Sequence, residues 1–134
     1  MREWNNRSLS NLHGIHPDLR RVMDRALQEA PFAFIVTEGL RTVQRQTELV
    51  RIGASKTMNS RHITGHAVDI VPYVDIDKDG RVETEEMYSW PLYHKLAPVI
   101  KAAAAKEKVA IVWGGDWRTF KDGPHWQLDW KKYP

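Results

Sequence analysis

The residues with the clearest chemical potential are two histidines and an aspartate in or beside short apolar stretches. His62 stands seven residues before Asp69, and His125 begins a stretch that alternates with period two near the end of the chain. Asp69 is flanked by strand-forming apolar residues, where a carboxylate is costly to bury unless it is paired or binds a metal. A catalytic zinc ion needs three protein ligands and one open position. His62, Asp69 and His125 could supply them.

His66 competes with His62 for this role, because two histidines four residues apart share one face of a helix. Residue 63 is Ile rather than Glu, and Gly65 disfavours a helix, so the zincin motif is absent. We therefore expect His66 to lie in a loop or to support a metal ligand. The chain has no Cys, which excludes disulfides, a thiol nucleophile and Cys-ligated zinc or iron–sulfur sites.

The acidic segment 75–86 fits the twelve-residue calcium loop of an EF-hand. Carboxylates fall at positions 1, 3, 5 and 9, Gly at position 6 and Glu at position 12, while position 7 would contribute only its carbonyl. The expected calcium ligands are Asp75, Asp77, Asp79, Arg81, Glu83 and Glu86. The alternative is an acidic connector with an Asp-Gly turn. A paired EF-hand is not expected, because a strand precedes the segment and no second loop follows.

The charge of the chain is unevenly distributed. The formal net charge is +3, but residues 69–86 hold seven acids and two bases, so this stretch carries −5 and the rest of the chain +8. A basic body favours polyanionic partners such as nucleic acid, anionic lipid or an anionic cell-wall polymer. No arginine-rich tract or groove-reading helix favours nucleic acid, so we expect no nucleic-acid partner.

Hydrophobic spacing predicts the elements that must position these residues. Helices are predicted at 17–30, at 42–52 and from residue 91, and strands at 32–37, 67–73, 109–113 and 125–130. In the last strand, Trp126, Leu128 and Trp130 are expected to face the core, opposite His125 and its polar neighbours. The pattern predicts one α+β domain over residues 1–134, with a small, mostly antiparallel sheet and flanking helices.

The N-terminus lacks the apolar run of a secretory signal, and no stretch approaches the ~18 apolar residues that span a bilayer. We therefore expect no transmembrane segment and a location in the cytoplasm of the cell that translates the chain.

Four spaced motifs extend along most of the chain, from about residue 17 to about residue 129. They are Gly39-Leu40-Arg41-Thr42 with Gln46, Ser60-x-His62-x-x-Gly65-x-Ala67-x-Asp69, Trp113-Gly114-Gly115-Asp116-Trp117, and Asp122-Gly123-Pro124-His125. In this order they resemble the family of zinc D-Ala-D-Ala carboxypeptidases and L-alanyl-D-glutamate endopeptidases, and look closest to short phage endolysins. The resemblance implies the small α+β fold that these peptidoglycan peptidases share with lysostaphin-type enzymes and the hedgehog signalling domain.

The resemblance also implies roles for individual residues. His62, Asp69 and His125 would be the zinc ligands, and Asp122 the catalytic carboxylate that takes a proton from water. An unperturbed aspartate has a pKa of about 3.9, so the site would have to raise the pKa of Asp122. The alternative for Asp122 is a simple turn with the glycine that follows it.

Three further residues match positions near the active site of the family. Arg41 matches an arginine near the scissile carbonyl, where it would stabilise the oxyanion and bind substrate. Gln46 and Ser60 match positions near the substrate. Arg41 could instead be a surface residue that begins a helix, and Ser60 could brace a metal ligand.

These matches predict a zinc metallopeptidase that cuts peptidoglycan stem peptides. The bond that we expect it to cut is the L-Ala–D-Glu bond. The alternatives are a D-Ala-D-Ala carboxypeptidase and a non-catalytic calcium- or wall-binding module of the same fold. We expect the protein to be a monomer and a phage lytic enzyme. It would reach the cell wall from the host cytoplasm after the membrane is permeabilised. Calcium in the loop at 75–86 would stabilise or regulate it, since Asp69 lies six residues before Asp75.

Overall fold

The structure is a computed structural model that describes the whole chain, Met1–Pro134. Its helices are α1 (Asn6–Leu12), α2 (Pro17–Glu29), α3 (Val43–Arg51), α4 (Thr84–Met87) and α5 (Trp90–Glu107). Its strands are β1 (Phe34–Glu38), β2 (Ala67–Pro72), β3 (Ile111–Trp113) and β4 (His125–Leu128), and a short 3-10 helix covers Gly114–Asp116. Every helix and strand predicted from hydrophobic spacing is present, with bounds that shift by a few residues.

The four strands form one sheet in the order β1-β2-β4-β3, and all neighbouring strands are antiparallel. This confirms the predicted α+β fold with a small antiparallel sheet. The register of the two central strands places Asp69 directly opposite His125. Two of the predicted metal ligands are therefore brought together by strand pairing alone.

The core lies on one face of the sheet, beneath α2 and α5. Apolar residues at helical spacing give α2 a buried stripe that includes Leu19, Val22 and Met23, all fully buried. Alternate strand residues point into this core, among them Trp126 and Leu128 on β4. The intervening residues point to the opposite face, where Asp69, His125 and Gln127 line a groove and Ile35 and Val71 are buried.

Strand β1 departs from simple alternation near its end. Its pairing with β2 shifts register between Val36 and Glu38, which inserts an extra residue into the strand. Val36 is part of the core, whereas Glu38 lies on the open face although both have the same parity. The irregularity thus turns a carboxylate away from the core.

Helix α1 was not predicted, because polar contacts rather than an apolar stripe attach it to the sheet. Its N-cap Asn5 accepts a hydrogen bond from the amide of Ser8. The buried Ser8 hydroxyl then accepts from the amide of Val36 at 2.9 Å, and Asn11 Nδ2 donates to the Val36 carbonyl at 2.8 Å. These side chains continue the hydrogen bonding of the edge strand β1.

The prediction for Trp130 was wrong. Strand β4 ends at Leu128, and the chain then turns so that the amides of Lys132 and Tyr133 donate to the Asp129 carbonyl. Trp126 and Leu128 are buried as predicted, but 45% of Trp130 is exposed. Its indole stacks against the guanidinium of Arg61, 3.8 Å from the ring centroid.

The helices of this fold are suited to packing on a sheet, and none is both long and apolar enough to cross a lipid bilayer.

Candidate active site

The open face of the sheet forms the floor of a groove of about 800 Å³ that crosses all four strands. Glu38 of β1, Asp69 of β2, His125 and Gln127 of β4, and Val112 of β3 line this floor. Two loops, at 53–60 and 117–122, contribute the walls. The groove is a cleft in which an extended chain could lie across the strands.

Three of the predicted ligands converge at the centre of the groove. His62 Nε2 lies 3.2 Å and His125 Nδ1 lies 3.3 Å from the same oxygen, Oδ1 of Asp69. The three ligand atoms are within 4.8 Å of one another. Both imidazoles are buried, and the fourth side of the cluster faces the groove.

The hydrogen bonds behind these side chains favour a cation between them. His62 Nδ1 lies 2.9 Å from the Gly39 carbonyl, which can only accept, so Nδ1 carries the proton and Nε2 presents a lone pair. Where His125 Nε2 donates to Gln127 Oε1 at 2.8 Å, its Nδ1 likewise presents a lone pair, which a cation beside Asp69 could bind. Two nitrogen lone pairs and a carboxylate oxygen pointing at one place form the donor set of a zinc site, so these residues fit that metal.

The electrostatics of Asp69 reflect the same arrangement. When no cation lies between them, the imidazole nitrogens that face Asp69 can carry protons and donate to its carboxylate. Burial by itself would raise the pKa of Asp69, but these hydrogen bonds from His125 and His62 outweigh burial and hold the pKa below its usual range. For His125, burial lowers the pKa and the pairing with Asp69 more than compensates, so its pKa is raised. The carboxylate is therefore charged at neutral pH.

His62 is positioned by a tight loop that precedes β2. The Ser60 hydroxyl accepts from the His62 amide at 3.2 Å, and the His62 carbonyl accepts from the Arg41 amide at 2.9 Å. Gly39 approaches α1 so closely that a side chain would collide with the Asn11 backbone. The glycine thereby lets its own carbonyl reach His62.

Asp122 stands at the edge of the metal cluster, in the loop that enters β4. Its amide donates to the Gly114 carbonyl at 3.1 Å, and its carbonyl accepts from the His125 amide at 3.2 Å. Burial and the nearby charge of Asp69 raise the pKa of its carboxyl, against the opposing effect of His125. A raised pKa makes the carboxylate a stronger proton acceptor, which suits a general acid–base.

The Trp113–Trp117 motif supports this loop. A Cβ at Gly114 would lie 3.0 Å from the Cβ atoms of both Asp122 and His125, so only glycine allows the loop to pack there. Trp113 Nε1 donates to the Gly123 carbonyl at 2.7 Å, and the Trp117 ring lies 5.0 Å from that of His125.

Arg41 is held in the groove by side chains on two sides. Its Nε donates to Glu38 at 2.7 Å, its Nη1 donates to Gln46 at 2.8 Å, and its Nη2 lies 3.9 Å from Asp69 Oδ2. Only 9% of the side chain is exposed. Arg41 is therefore part of the site rather than a surface residue at the start of α3.

Gln46 does not line the groove but lies fully buried behind it. Its amide oxygen accepts from Arg41, while its Nε2 donates to the Ser55 hydroxyl at 2.8 Å and to the Thr57 carbonyl at 2.6 Å. One side chain thus joins Arg41 to the wall loop at 53–60.

His66 and Ser60 lie at different distances from the metal cluster. His66 lies in a loop, where its Nδ1 faces the Thr64 hydroxyl at 2.7 Å and its ring lies 5.3 Å from that of His16, outside the metal cluster. Ser60 lines the groove and also braces His62.

Sequence reasoning gave no role to Glu38, Trp117 or Gln127, which also line the groove, although Trp117 belongs to one of the spaced motifs. Gln127 shares the alternation of His125 and could have been found from that pattern. Glu38 is concealed by the irregularity in β1, because strict alternation would place it in the core.

The acidic loop at 75–86 folds back on itself and ends in α4. Carboxylate oxygens of Asp75, Asp77 and Glu86 lie within 4.8 Å of one another, as do those of Asp77, Asp79 and Glu83. Hydrogen bonding to Asp79 and its charge raise the pKa of Glu83 to about 7. Such like-charge crowding is relieved when a cation binds.

Comparison with known proteins identifies the relatives of this chain. The profile of a family described as phage L-alanyl-D-glutamate peptidase matches residues 2–129. The chain belongs to this family. It is 29% identical over 130 residues to the L-alanyl-D-glutamate peptidase of Listeria phage A118, covering 95% of this chain but only 42% of that protein. It is 27% identical over 118 residues to the peptidase of the same name from Escherichia phage T5, covering 86% and 81%.

Solved structures agree with the family. The Serratia marcescens L-Ala D-Glu endopeptidase ChiX superposes with a TM-score of 0.86 and 44% identity, over 98% of this chain and 92% of that chain. The vancomycin resistance D,D-dipeptidase VanXYg shares only 13% identity, and its TM-score of 0.54, over 85% of this chain and 50% of that chain, shows a common fold. The fold expected from the family resemblance is thereby confirmed.

Gln46→Ala tests the brace behind Arg41. It leaves buried partners unpaired, so we expect the free energy of unfolding to fall by about 1–3 kcal/mol. Because Arg41 also loses an anchor, kcat should fall in a zinc-replete peptidase assay. Urea unfolding and steady-state kinetics measure the two effects. Gln28→Ala removes an exposed amide that contacts only Arg2, and serves as the control. Equal behaviour of the two variants would contradict the assignment.

Proposed function

We propose that this chain is a zinc-dependent peptidase that hydrolyses the L-Ala–D-Glu bond of peptidoglycan stem peptides. The observation that carries the proposal is the convergence of His62, Asp69 and His125 beside Asp122, in an open groove of a chain that belongs to the family of L-alanyl-D-glutamate peptidases. A binding module would have no need of an acid–base next to the metal ligands, which argues against a non-catalytic role.

His62 Nε2, His125 Nδ1 and Asp69 would hold the metal, with the groove side open for water and substrate. A zinc ion held there supplies Lewis-acid polarisation of the scissile carbonyl and lowers the pKa of water.

Asp122 would move the proton. Its carboxylate accepts a proton from the attacking water and donates it to the leaving amine of the D-Glu residue. Burial and the charge of Asp69 raise the pKa of Asp122, which makes its carboxylate a stronger base towards the attacking water. The hydrogen bond from the Asp122 amide to Gly114 keeps its loop against β4 during both steps.

Arg41 would stabilise the negative charge that develops on the carbonyl oxygen. Its guanidinium is already oriented by Glu38 and Gln46, so little reorganisation is needed when the substrate binds. A preorganised donor of this kind contributes about 3 kcal/mol to stabilisation of the transition state. Ser60 lies in the wall of the groove, where it would contact the peptide.

The biological setting we propose is lysis by a phage. A monomer made in the host cytoplasm would reach the wall after the membrane is permeabilised. The charge of +8 outside the acidic stretch suits adsorption to an anionic wall.

Digestion of purified peptidoglycan tests the scissile bond. With zinc-replete protein, mass spectrometry of the products should find new D-Glu amino termini and free L-Ala carboxyl ends. Release of free D-Ala instead would assign the carboxypeptidase activity. No product from zinc-replete protein would overturn both activities.

Asp122→Ala tests the acid–base. We expect zinc content to be retained and kcat to fall by about 10²–10⁴-fold, because only the proton transfer is removed. Metal analysis and kinetics on a stem peptide measure this. Asp116→Ala is the control, since Asp116 lies in the preceding loop but pairs with Lys101 at the surface. Full activity of Asp122→Ala would assign the proton transfer to another group.

We also propose that the loop at 75–86 binds Ca²⁺ and stabilises the end of β2. Asp75 already accepts from the amides of Asp79 and Gly80, and Glu86 accepts from those of Ile76 and Glu83, so the carboxylates face inward. Helix α4 contacts β2, the strand that carries Asp69. Ordering of the loop would therefore also stabilise the strand that positions the zinc ligand Asp69.

Addition of Ca²⁺ to calcium-depleted, zinc-loaded protein should raise the Tm. A site filled at 100 times its Kd adds about 2.7 kcal/mol to stability. Asp75→Asn should abolish the rise. Glu85→Gln removes the same charge from the same segment, at a position that offers no ligand, and should keep the rise. If Ca²⁺ changes neither Tm nor activity of the unsubstituted protein, the calcium proposal fails.

A further inference from the structure

The groove contains one lysine whose charge has no partner. Three Lys or Arg side chains line it, namely Arg41, Lys56 and Arg61. Arg41 is committed to Glu38 and Gln46. Arg61 is only 4% exposed, stacks on Trp130 and donates to the carbonyls of Leu128 and Tyr133. Lys56 is exposed and forms neither a salt bridge nor a side-chain hydrogen bond.

The position of Lys56 is nevertheless well determined. Gln46 Nε2 donates to Ser55 and Thr57, the residues on either side of Lys56, while Gln46 Oε1 accepts from Arg41. The same buried amide therefore sets the distance between the Lys56 backbone and the arginine proposed to face the scissile carbonyl.

The opposite wall of the groove holds the ammonium group over the cleft. Lys56 Nζ lies 5.5 Å from the centroid of the Phe120 ring. Phe120 is 71% exposed and has a left-handed backbone with φ of 51°. A cation over an aromatic face keeps its charge available to an anion.

The carboxylates of the groove make this charge important for an acidic substrate. Asp122 and Asp129 line the same cleft and would repel a substrate carboxylate, whereas Glu38 is paired with Arg41 and Asp69 with the two imidazoles. In an L-Ala–D-Glu bond of peptidoglycan, D-Glu continues the chain through its γ-carboxyl, so its α-carboxylate is free on the carbon bonded to the scissile nitrogen. A D-Ala-D-Ala terminus places a free carboxylate on the equivalent carbon.

We propose that Lys56 binds the free α-carboxylate of the residue that leaves, and so determines which bond is cut. The assignment rests on the proposed peptidase function. Arg41 would face the carbonyl, Asp122 the nitrogen, and Lys56 the carboxylate one carbon further along. Phe120 is then a positioning residue that acts through Lys56.

The test compares paired substrates that differ in one group. One stem peptide carries D-Glu with a free α-carboxylate, and the other carries the α-amide, D-isoglutamine. We expect kcat/KM of the unsubstituted, zinc-loaded protein to favour the acid by about ten-fold, equivalent to about 1.4 kcal/mol. Lys56→Met should cut both peptides with equal kcat/KM, because only the kcat/KM for the peptide with the free α-carboxylate falls. Lys56→Arg should keep part of the preference.

Lys95→Met is the matched control, because Lys95 is an exposed lysine of α5 outside the groove. It removes the same charge and should keep the full preference. If Lys56→Met also keeps the preference, or if the unsubstituted protein cuts both peptides equally, the assignment is overturned while the peptidase function stands.

A second pair of peptides, ending in D-Ala-D-Ala with a free or an amidated terminus, distinguishes the two sources of carboxylate. The protein could cleave only this second pair, and prefer the free acid in a way that depends on Lys56. This result would support the binding of a terminal carboxylate by Lys56 and would move the scissile bond to D-Ala-D-Ala. Cleavage of neither pair would overturn the peptidase function and the assignment together.

Discussion

The structure is organised around a largely buried carboxylate, on a side chain that is 19% exposed, in the middle of a β-sheet. Asp69 stands directly opposite His125 on the neighbouring strand, and His62 reaches the same oxygen from the preceding loop. An isolated carboxylate in this position would destabilise the fold. The two imidazoles compensate that cost and, in doing so, assemble a set of donors that fits zinc. The two histidines that offset the cost of the Asp69 carboxylate are thus the same residues that form the metal site.

One face of the sheet forms the hydrophobic core, and the other forms the groove. Helices α2 and α5 cover one face, and the stacked rings of Trp113 and Trp126, with centroids 5.7 Å apart, extend the core to its edge. This rigid face holds β2 and β4 in register, so the opposite face can remain open as a groove. Its loops are held by backbone contacts at Gly39 and Gly114 that admit no side chain. Precision in the groove therefore comes from close backbone approach as much as from side chains.

Charge is distributed in a way that matches the proposed reaction. The acidic stretch at 69–86 has a net charge of −5, whereas the rest of the chain carries +8 and would be attracted to an anionic wall. Within the groove itself, carboxylates outnumber the cations, and Gln46 coordinates the position of two of those cations by joining Arg41 to the loop of Lys56. A neutral, buried amide is well suited to this task, because it orients charged groups without changing the charge of the site.

Local pattern in the sequence determined much of this protein. Alternation in the last strand separated His125 from Trp126, and the flanking apolar residues singled out Asp69. Asp122 and Arg41 were indicated by the resemblance of the spaced motifs to a known family. The tertiary structure alone decided the rest. Helix α1 is attached by polar contacts to a distant strand, and Trp130 leaves the core because the chain turns and Arg61 stacks on it. The bracing role of Gln46 and the free charge of Lys56 likewise depend on partners far apart in the chain, which no local periodicity records.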